Sequence, residues 1–356
     1  MLSQQIELWA HSPEPRLSKT EWENLSEADT LRIIDGLFDY YRRFGYPHYS
    51  YNATEKAKEL DKIRAFDYGQ LISDGTIRQT MHGLGLAWSY FPHALSVRVG
   101  KMLTPSEVFE DDDLLRKALA RRLKRGTYIS HSGIRKAIRT YSGVQAVSNF
   151  RPTAAAAIYD SFAPEDATVW DCSCGFGGRL LGAIASRNVA TYIGTDPGAD
   201  TMTGLRELAA DLSGVTDVKL HQVGSEDFVC DPQSVDLCFT SPPYFDTERY
   251  SDEDTQSWVR YGSPSDWNEG FLRGTIESCR SALKSSGWLI LNVANVTSHP
   301  TLVEDTIRIA VESGFAHTTT LRLALSSIAK GGYKYEPVLV FKPVRRQSGT
   351  RRITSL

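Results

Sequence analysis

From about residue 150 onward the sequence alternates between two hydrophobic periodicities, and this restricts the fold more than any other feature in it. A helix-type stretch, TAAAAIYDSF, precedes a strand-type stretch, ATVWDCS, and a glycine-rich turn. RLLGAIAS, ATYIGTD, TMTGLRELAADL, VKLHQV and VDLCFTSPPY continue the pattern. A helix near 268–284, the strand GWLILNVAN and the helix LVEDTIRIAVESG come next. Strands separated by helices of about a dozen residues predict βαβ units and an α/β fold with a Rossmann-like, mostly parallel sheet. The last two strands, AHTTTLRLAL and EPVLVFKP, have no helix between them, which predicts an antiparallel pair at one edge.

Residues 1–145 read as a largely helical extension. SEADTLRIIDGLFDYYRRFG opens on a capping Ser26 and closes on Gly45. A second helix is expected over TPSEVFEDDDLLRKALARRLKRG and a third over HSGIRKAIRTYSG. The expected organisation is therefore a helical domain over 1–145, an α/β domain over 146–343 and a basic tail over 344–356. No apolar run is long enough to span a bilayer, and the first residues lack a basic stretch leading into an apolar core. Five cysteines without framework spacing suit a reducing cytoplasm, which is the expected compartment.

The α/β half concentrates its chemistry at strand ends. The first βα turn reads Asp171-Cys172-Ser173-Cys174-Gly175-Phe176-Gly177-Gly178, and Asp196 ends the next strand 25 residues after Asp171. An acid so placed suits the ribose hydroxyls of an adenosine moiety, and Glu226 or Asp227, beyond the third strand, suits an adenine amino group. The third glycine of a dinucleotide fingerprint is missing, and no phosphate-cradling G-x-x-x-x-G-K-[ST] loop occurs. The strand VDLCFT runs into Ser241-Pro242-Pro243-Tyr244. Proline cannot donate to a sheet ladder, so Pro242 ends the strand and Pro243 stiffens the backbone beyond it. The two prolines thereby fix Ser241 and Tyr244 at a strand's carboxyl end, where open α/β sheets bind ligands. Cys172-x-Cys174 has no second Cys or His pair at ligand spacing, so no metal is expected.

These residues resemble the class I S-adenosylmethionine-dependent methyltransferases, and in particular the exocyclic-amino DNA methyltransferases, whose signature is Asp, Asn or Ser followed by Pro-Pro and an aromatic. The similarity covers about residues 145–343, and the whole looks like the methylases carried by phages and mobile elements. It implies that Phe150 and Pro152, in the segment ahead of the first strand, line the methionine end of the cofactor. Asp171, Cys172, Gly175, Gly177, Asp196, Glu226 and Asp227 would complete the cofactor site. Ser241, Pro242, Pro243 and Tyr244 would be catalytic, with Tyr244 stacking on a base extruded from duplex DNA. The ending Tyr335-Glu336-Pro337-Val338-Leu339-Val340-Phe341 is similar to the family's closing strand. Serine at the first signature position tends to accompany cytosine N4, and Asp or Asn adenine N6. Adenine N6, an RNA base, and a non-catalytic nucleic-acid-binding role on the same fold remain the alternatives. A restriction partner belongs to the same picture.

Net charge is only −3, but its distribution is uneven. Leu114 to Arg151 holds ten basic residues and no acid, and Lys342 to Arg352 adds five. Arg121, Arg122, Lys124, Arg125, Arg135, Lys136 and Arg139 are therefore the expected phosphate contacts, unless acids of a neighbouring element pair them. The loop FDTERYSDEDTQSWVRYGSPSDW is either a lid or recognition element or a solvated excursion.

Overall fold

The structure is a computed structural model that describes residues 6, 9, 11–124, 129–327 and 332–344. It forms two compact units, one of Met1–Tyr51, Phe91–Ser148 and Glu248–Ser251, the other of Asn52–Tyr90, Asn149–Thr247 and Asp252–Leu356. Residues 1–145 thus do not pack as one continuous unit. In the first, α1 (Glu27–Phe44) starts where the Ser26 side chain accepts from the Asp29 N–H and stops at Gly45, whose φ is +83°. Its buried Ile33, Leu37 and Tyr41 share a core with Leu115, Leu119, Ile134 and Ile138.

The chain then enters the second unit. α2 (Ala53–Arg64) opens with a capping box between Asn52 and Glu55. A hairpin of β1 (Ile72–Ser73) and β2 (Thr76–Ile77) follows. Its turn residues Asp74 and Gly75 have φ of 51° and 67°, the left-handed pair that a tight two-residue turn requires. Back in the first unit, the single helix expected over 104–126 is two. α3 (Pro105–Glu110) ends at Asp111, whose extended backbone breaks the run and whose side chain caps Leu114 at 2.8 Å to begin α4 (Asp112–Lys124). α5 (His131–Arg139) is capped by Ser130 and ends four residues before Gly143, the expected stop.

From residue 149 onward the second unit follows the predicted alternation. Its elements are α6 (Pro152–Phe162), β3 (Ala167–Asp171), α7 (Gly178–Ala185), β4 (Val189–Thr195), α8 (Ala199–Leu212), β5 (Asp217–His221) and β6 (Val235–Thr240). After these come α9 (Arg273–Ala282), β7 (Leu283–Asn292), α10 (Leu302–Glu312), β8 (Phe315–Ser327) and β9 (Tyr333–Pro343). The sheet order is β1-β2-β8-β9-β7-β6-β3-β4-β5. Strands β3 to β7 are mutually parallel, and β9 is antiparallel to both β7 and β8. From β5 to β8 this is a Rossmann-like, mostly parallel sheet, with the predicted antiparallel pair at its side.

β8 is not the edge that the sequence predicts, because β2 pairs with it in parallel, Thr76 opposite Arg322 and Ile77 opposite Leu323. All six residues of β6 are buried, as expected for a strand covered on both faces. Among the described residues, no helix is long and apolar enough to cross a membrane.

Candidate active site

The glycine turn is built on a buried ion pair. The Asp171 carboxylate, fully buried at the end of β3, accepts from Arg179 Nε at 2.8 Å and from the Tyr192 hydroxyl at 2.8 Å. Arg179 also donates to the Ser173 carbonyl, which ties the first turn of α7 back over the loop. Burial alone would lower the guanidinium pKa; the adjoining Asp171 overrides that and raises it. Asp171, expected as a cofactor contact, is therefore engaged as the anchor of the turn. Nothing in the sequence marks Arg179, because a charged residue one step beyond a Gly-Gly pair gives no sign of burial.

Gly175 and Gly177 have φ of 53° and 70°, and Gly178 lies against the preceding segment. A Cβ at Gly178 would stand 1.9 Å from the Phe150 carbonyl oxygen, so no larger residue fits. That segment is fixed from both sides: Asn149 Nδ2 donates to the Phe176 carbonyl at 2.8 Å, and the Phe150 ring meets Phe239 of β6 edge-on at 5.3 Å. Pro152 is buried in the first turn of α6. Phe150 is thus brought to the turn, while the Pro152 carbonyl lies against Gly182 of α7.

Asp196 lies just past β4, and its two carboxylate oxygens accept from the Gly175 and Gly198 N–H groups, each at 3.0 Å. Burial raises its pKa to about 6, while those two backbone donors pull the other way. Each oxygen keeps a second lone pair for a further donor.

The Cys172 side chain lies on the far side of the sheet from the glycine turn. Successive strand residues face opposite sides of a sheet. Asp171 faces α7, so the Cys172 thiol points to the other side, 3.3 Å from Cys279 of α9 and in one core cluster with Cys238. Burial pushes the Cys172 and Cys238 thiols well up. Only the backbone of Cys172 reaches the turn region, its carbonyl accepting from Thr195 Oγ1 at 3.0 Å.

Beyond β5, Glu226 and Asp227 share Arg260, whose Nη1 lies 2.7 Å from one and 2.5 Å from the other. The Glu226 side chain is 3% exposed, and its second oxygen, Oε2, is buried without a hydrogen-bond partner. Burial raises the Glu226 pKa, and Arg260 opposes the rise. Arg260 belongs to the acidic, aromatic loop, which is no solvated excursion. Glu253 accepts from the Ala199 N–H at 3.4 Å, and short helices form at Ser257–Arg260 and Pro264–Trp267. Trp267 is fully buried, its indole donating to Ser257 Oγ at 3.1 Å.

Ser241-Pro242-Pro243-Tyr244 leaves β6, the direct neighbour of β3, so it emerges beside the strand that carries the glycine turn. The Tyr244 hydroxyl lies 3.5 Å from Ser241 Oγ, 3.3 Å from the Asn292 carbonyl and 3.5 Å from Glu336 Oε2. Its ring is half-buried against the core cluster around Trp267, so Tyr244 is also a packing residue. Glu336 is a site residue that the sequence reading misses, because its partner Tyr244 lies 92 residues away along the chain.

In the first unit, several of the basic residues expected to contact phosphate are engaged internally. Arg121 donates to the Thr140 carbonyl, Arg139 to Val147 and Arg135 to Pro47, at 3.3, 3.1 and 2.8 Å. The Arg135 guanidinium also lies 3.9 Å from the Tyr49 ring centroid, and Arg122 lies against Gly133. Lys124 and Lys136 are exposed, and Arg125 lies outside the described residues, as does the tail beyond Val344.

No family profile matches this sequence, and no curated protein does. Among solved structures, a TehB-like SAM-dependent methyltransferase from Corynebacterium glutamicum is 14% identical, covering 55% of this chain and 89% of its own, with a TM-score of 0.38. A SAM-dependent methyltransferase from Methanosarcina mazei is 12% identical, covering 53% and 98%, also at 0.38. A SAM-dependent O-methyltransferase from Thermotoga maritima is 12% identical, covering 56% and 68%, at 0.38. Similarity at this level assigns no substrate.

Proposed function

We propose that this chain transfers a methyl group from S-adenosylmethionine to the exocyclic amino group of a base in DNA, with cytosine N4 the first expectation. The observation that supports it most is the adjacency of the rigid Ser241-Pro242-Pro243-Tyr244 segment to the glycine turn that Asp196 pins. The residues present fit the cofactor: Asp196 has lone pairs free for ribose hydroxyls, and buried Glu226 Oε2 lacks a donor that an adenine amino group would supply. Phe150 and the glycine turn would take the methionine end. When bound, the cofactor supplies an electrophilic sulfonium methyl.

An exocyclic amino nitrogen is a poor nucleophile because its lone pair is delocalised into the ring. Two acceptors, the Ser241 hydroxyl and the Pro242 carbonyl, would hold its two hydrogens and turn the lone pair toward the methyl. Rigid positioning of this kind is where most of the acceleration is expected, and the consecutive prolines supply it. The exposed lysines of the first unit, Lys124 and Lys136, would contribute phosphate contacts.

The test is transfer of tritiated methyl to unmodified DNA, with nucleoside digestion and mass spectrometry, wild type beside Ser241→Ala. Label in N4-methylcytosine that is lost in the variant supports the reading. Label in N6-methyladenine corrects only the base. Cofactor binding without transfer to DNA, or transfer to RNA alone, overturns the reading.

A further inference from the structure

Methylating an exocyclic amine releases a proton, and neither Ser241 nor Pro242 is basic enough to keep it. The first residue of the signature is a hydroxyl, so a proton acceptor has to come from elsewhere in the fold. Glu336 is placed for this. The last residue of β7, Asn292, pairs with Val338 of β9, so Glu336 stands two residues beyond that strand's end, on the same face as Val338 and at the mouth where Ser241 emerges. Its Oε2 is 3.5 Å from the Tyr244 hydroxyl, which is itself 3.5 Å from Ser241 Oγ. Such contacts commonly shorten when substrate binds.

We propose, resting on the amino-methylation reading above, that Glu336 is the terminal proton acceptor of the reaction, reached from the target nitrogen through the hydroxyls of Ser241 and Tyr244. As the N–CH3 bond forms and the S–CH3 bond breaks, the sulfur keeps the bonding electron pair. The amino nitrogen's proton passes to the Ser241 oxygen, the Ser241 hydroxyl proton to the Tyr244 oxygen, and the Tyr244 proton to the Glu336 carboxylate. Glu336 ends neutral and returns its proton to solvent. It works through Tyr244 and does not itself touch the base.

The surroundings suit the task. Burial raises the Glu336 pKa, opposed by the Asn292 amide of β7, Lys334 on its own strand and the Tyr244 hydroxyl. Its cross-strand neighbour on β8 is the apolar Leu323. Tyr244 and Lys334 are thus the titratable groups among these neighbours. A carboxylate with a raised pKa is a better base than a free one.

The test uses the full-length wild type, Glu336→Gln and Tyr244→Phe in single-turnover methyl transfer, from about pH 5 to about pH 9, with cofactor affinity measured alongside. The wild-type rate should fall toward acid as Glu336 becomes protonated. Glu336→Gln should be about 10²-fold slower near pH 8 and lose that acid limb, with cofactor affinity unchanged. Tyr244→Phe, which keeps the carboxyl, should lose the same limb, and it remains the deciding variant if Glu336→Gln does not fold. Retention of both rate and limb in either folded variant overturns the proposal while leaving the amino-methylation reading intact. A wild type that transfers methyl to no nucleic acid overturns both.

Discussion

Asp171 and Arg179 form an ion pair 2.8 Å long at the root of the glycine turn, with side-chain exposures of 0% and 6%. In such a pair, losing one partner costs more than the pair contributes, because the other is left charged and buried. Arg179→Met is therefore expected to destabilise the second unit by about 3–5 kcal/mol. Urea unfolding followed by tryptophan fluorescence would measure it through Trp170 and Trp267, both fully buried in that unit. A loss below about 1 kcal/mol would show the pair to be no more than a surface-type contact.

The pKa of Asp196 gives a pH dependence with a definite sign. Its folded value of about 6 is above the ordinary 3.8, so the folded state holds the proton over the interval where the unfolded chain has lost it. Its contribution to stability must then fall as pH rises from about 4 through about 6. The carboxylates held low, such as Glu107 and Asp211, act in the opposite sense, so the comparison is wild type minus Asp196→Asn. That difference should decline by about 2–3 kcal/mol over the interval. A difference flat with pH would mean that Asp196 is solvated.

Glu226 offers a cofactor test independent of catalysis. Its unpartnered Oε2 should gain a donor on binding, so Glu226→Gln should weaken S-adenosylmethionine about tenfold in titration calorimetry. Equal affinities would remove Glu226 from the cofactor site.

The β1–β2 turn should be sensitive at a single atom. Gly75, at φ 67°, has open space where a Cβ would stand, so Gly75→Ala tests backbone conformation alone. A loss of about 1 kcal/mol is expected, with faster amide exchange at Arg322, whose N–H donates to the Gly75 carbonyl at 2.8 Å. Unchanged exchange there would show that the hairpin does not protect β8.

The strands and helices after residue 149 were legible because each carries its own periodicity and its own stops. The Asp74-Gly75 turn signal was also in plain view, but a two-residue strand has too few residues to show alternation, and its partner lies far along the chain. The roles of Asp196 and of the Ser241–Tyr244 segment could be argued from position at strand ends. Those of Arg179, Arg260 and Glu336 could not, because each is a charged residue whose burial or partner is created by a distant segment. The basic run shows the same limit from the other side: the sequence counts charges, but not the backbone carbonyls that occupy Arg121, Arg135 and Arg139.

The pairing of β2 with β8 has a consequence for synthesis. Thr76 and Arg322 are 246 residues apart, so the hairpin leaves the ribosome long before its partner strand exists. The sheet cannot be completed vectorially, and its outer edge closes only once Phe315–Ser327 has been made. Until then β1–β2 is a two-stranded ribbon without support, too short to persist alone. A fragment starting at 146 would carry every candidate catalytic residue, yet leave β8 as a bare edge open to pairing with a second chain.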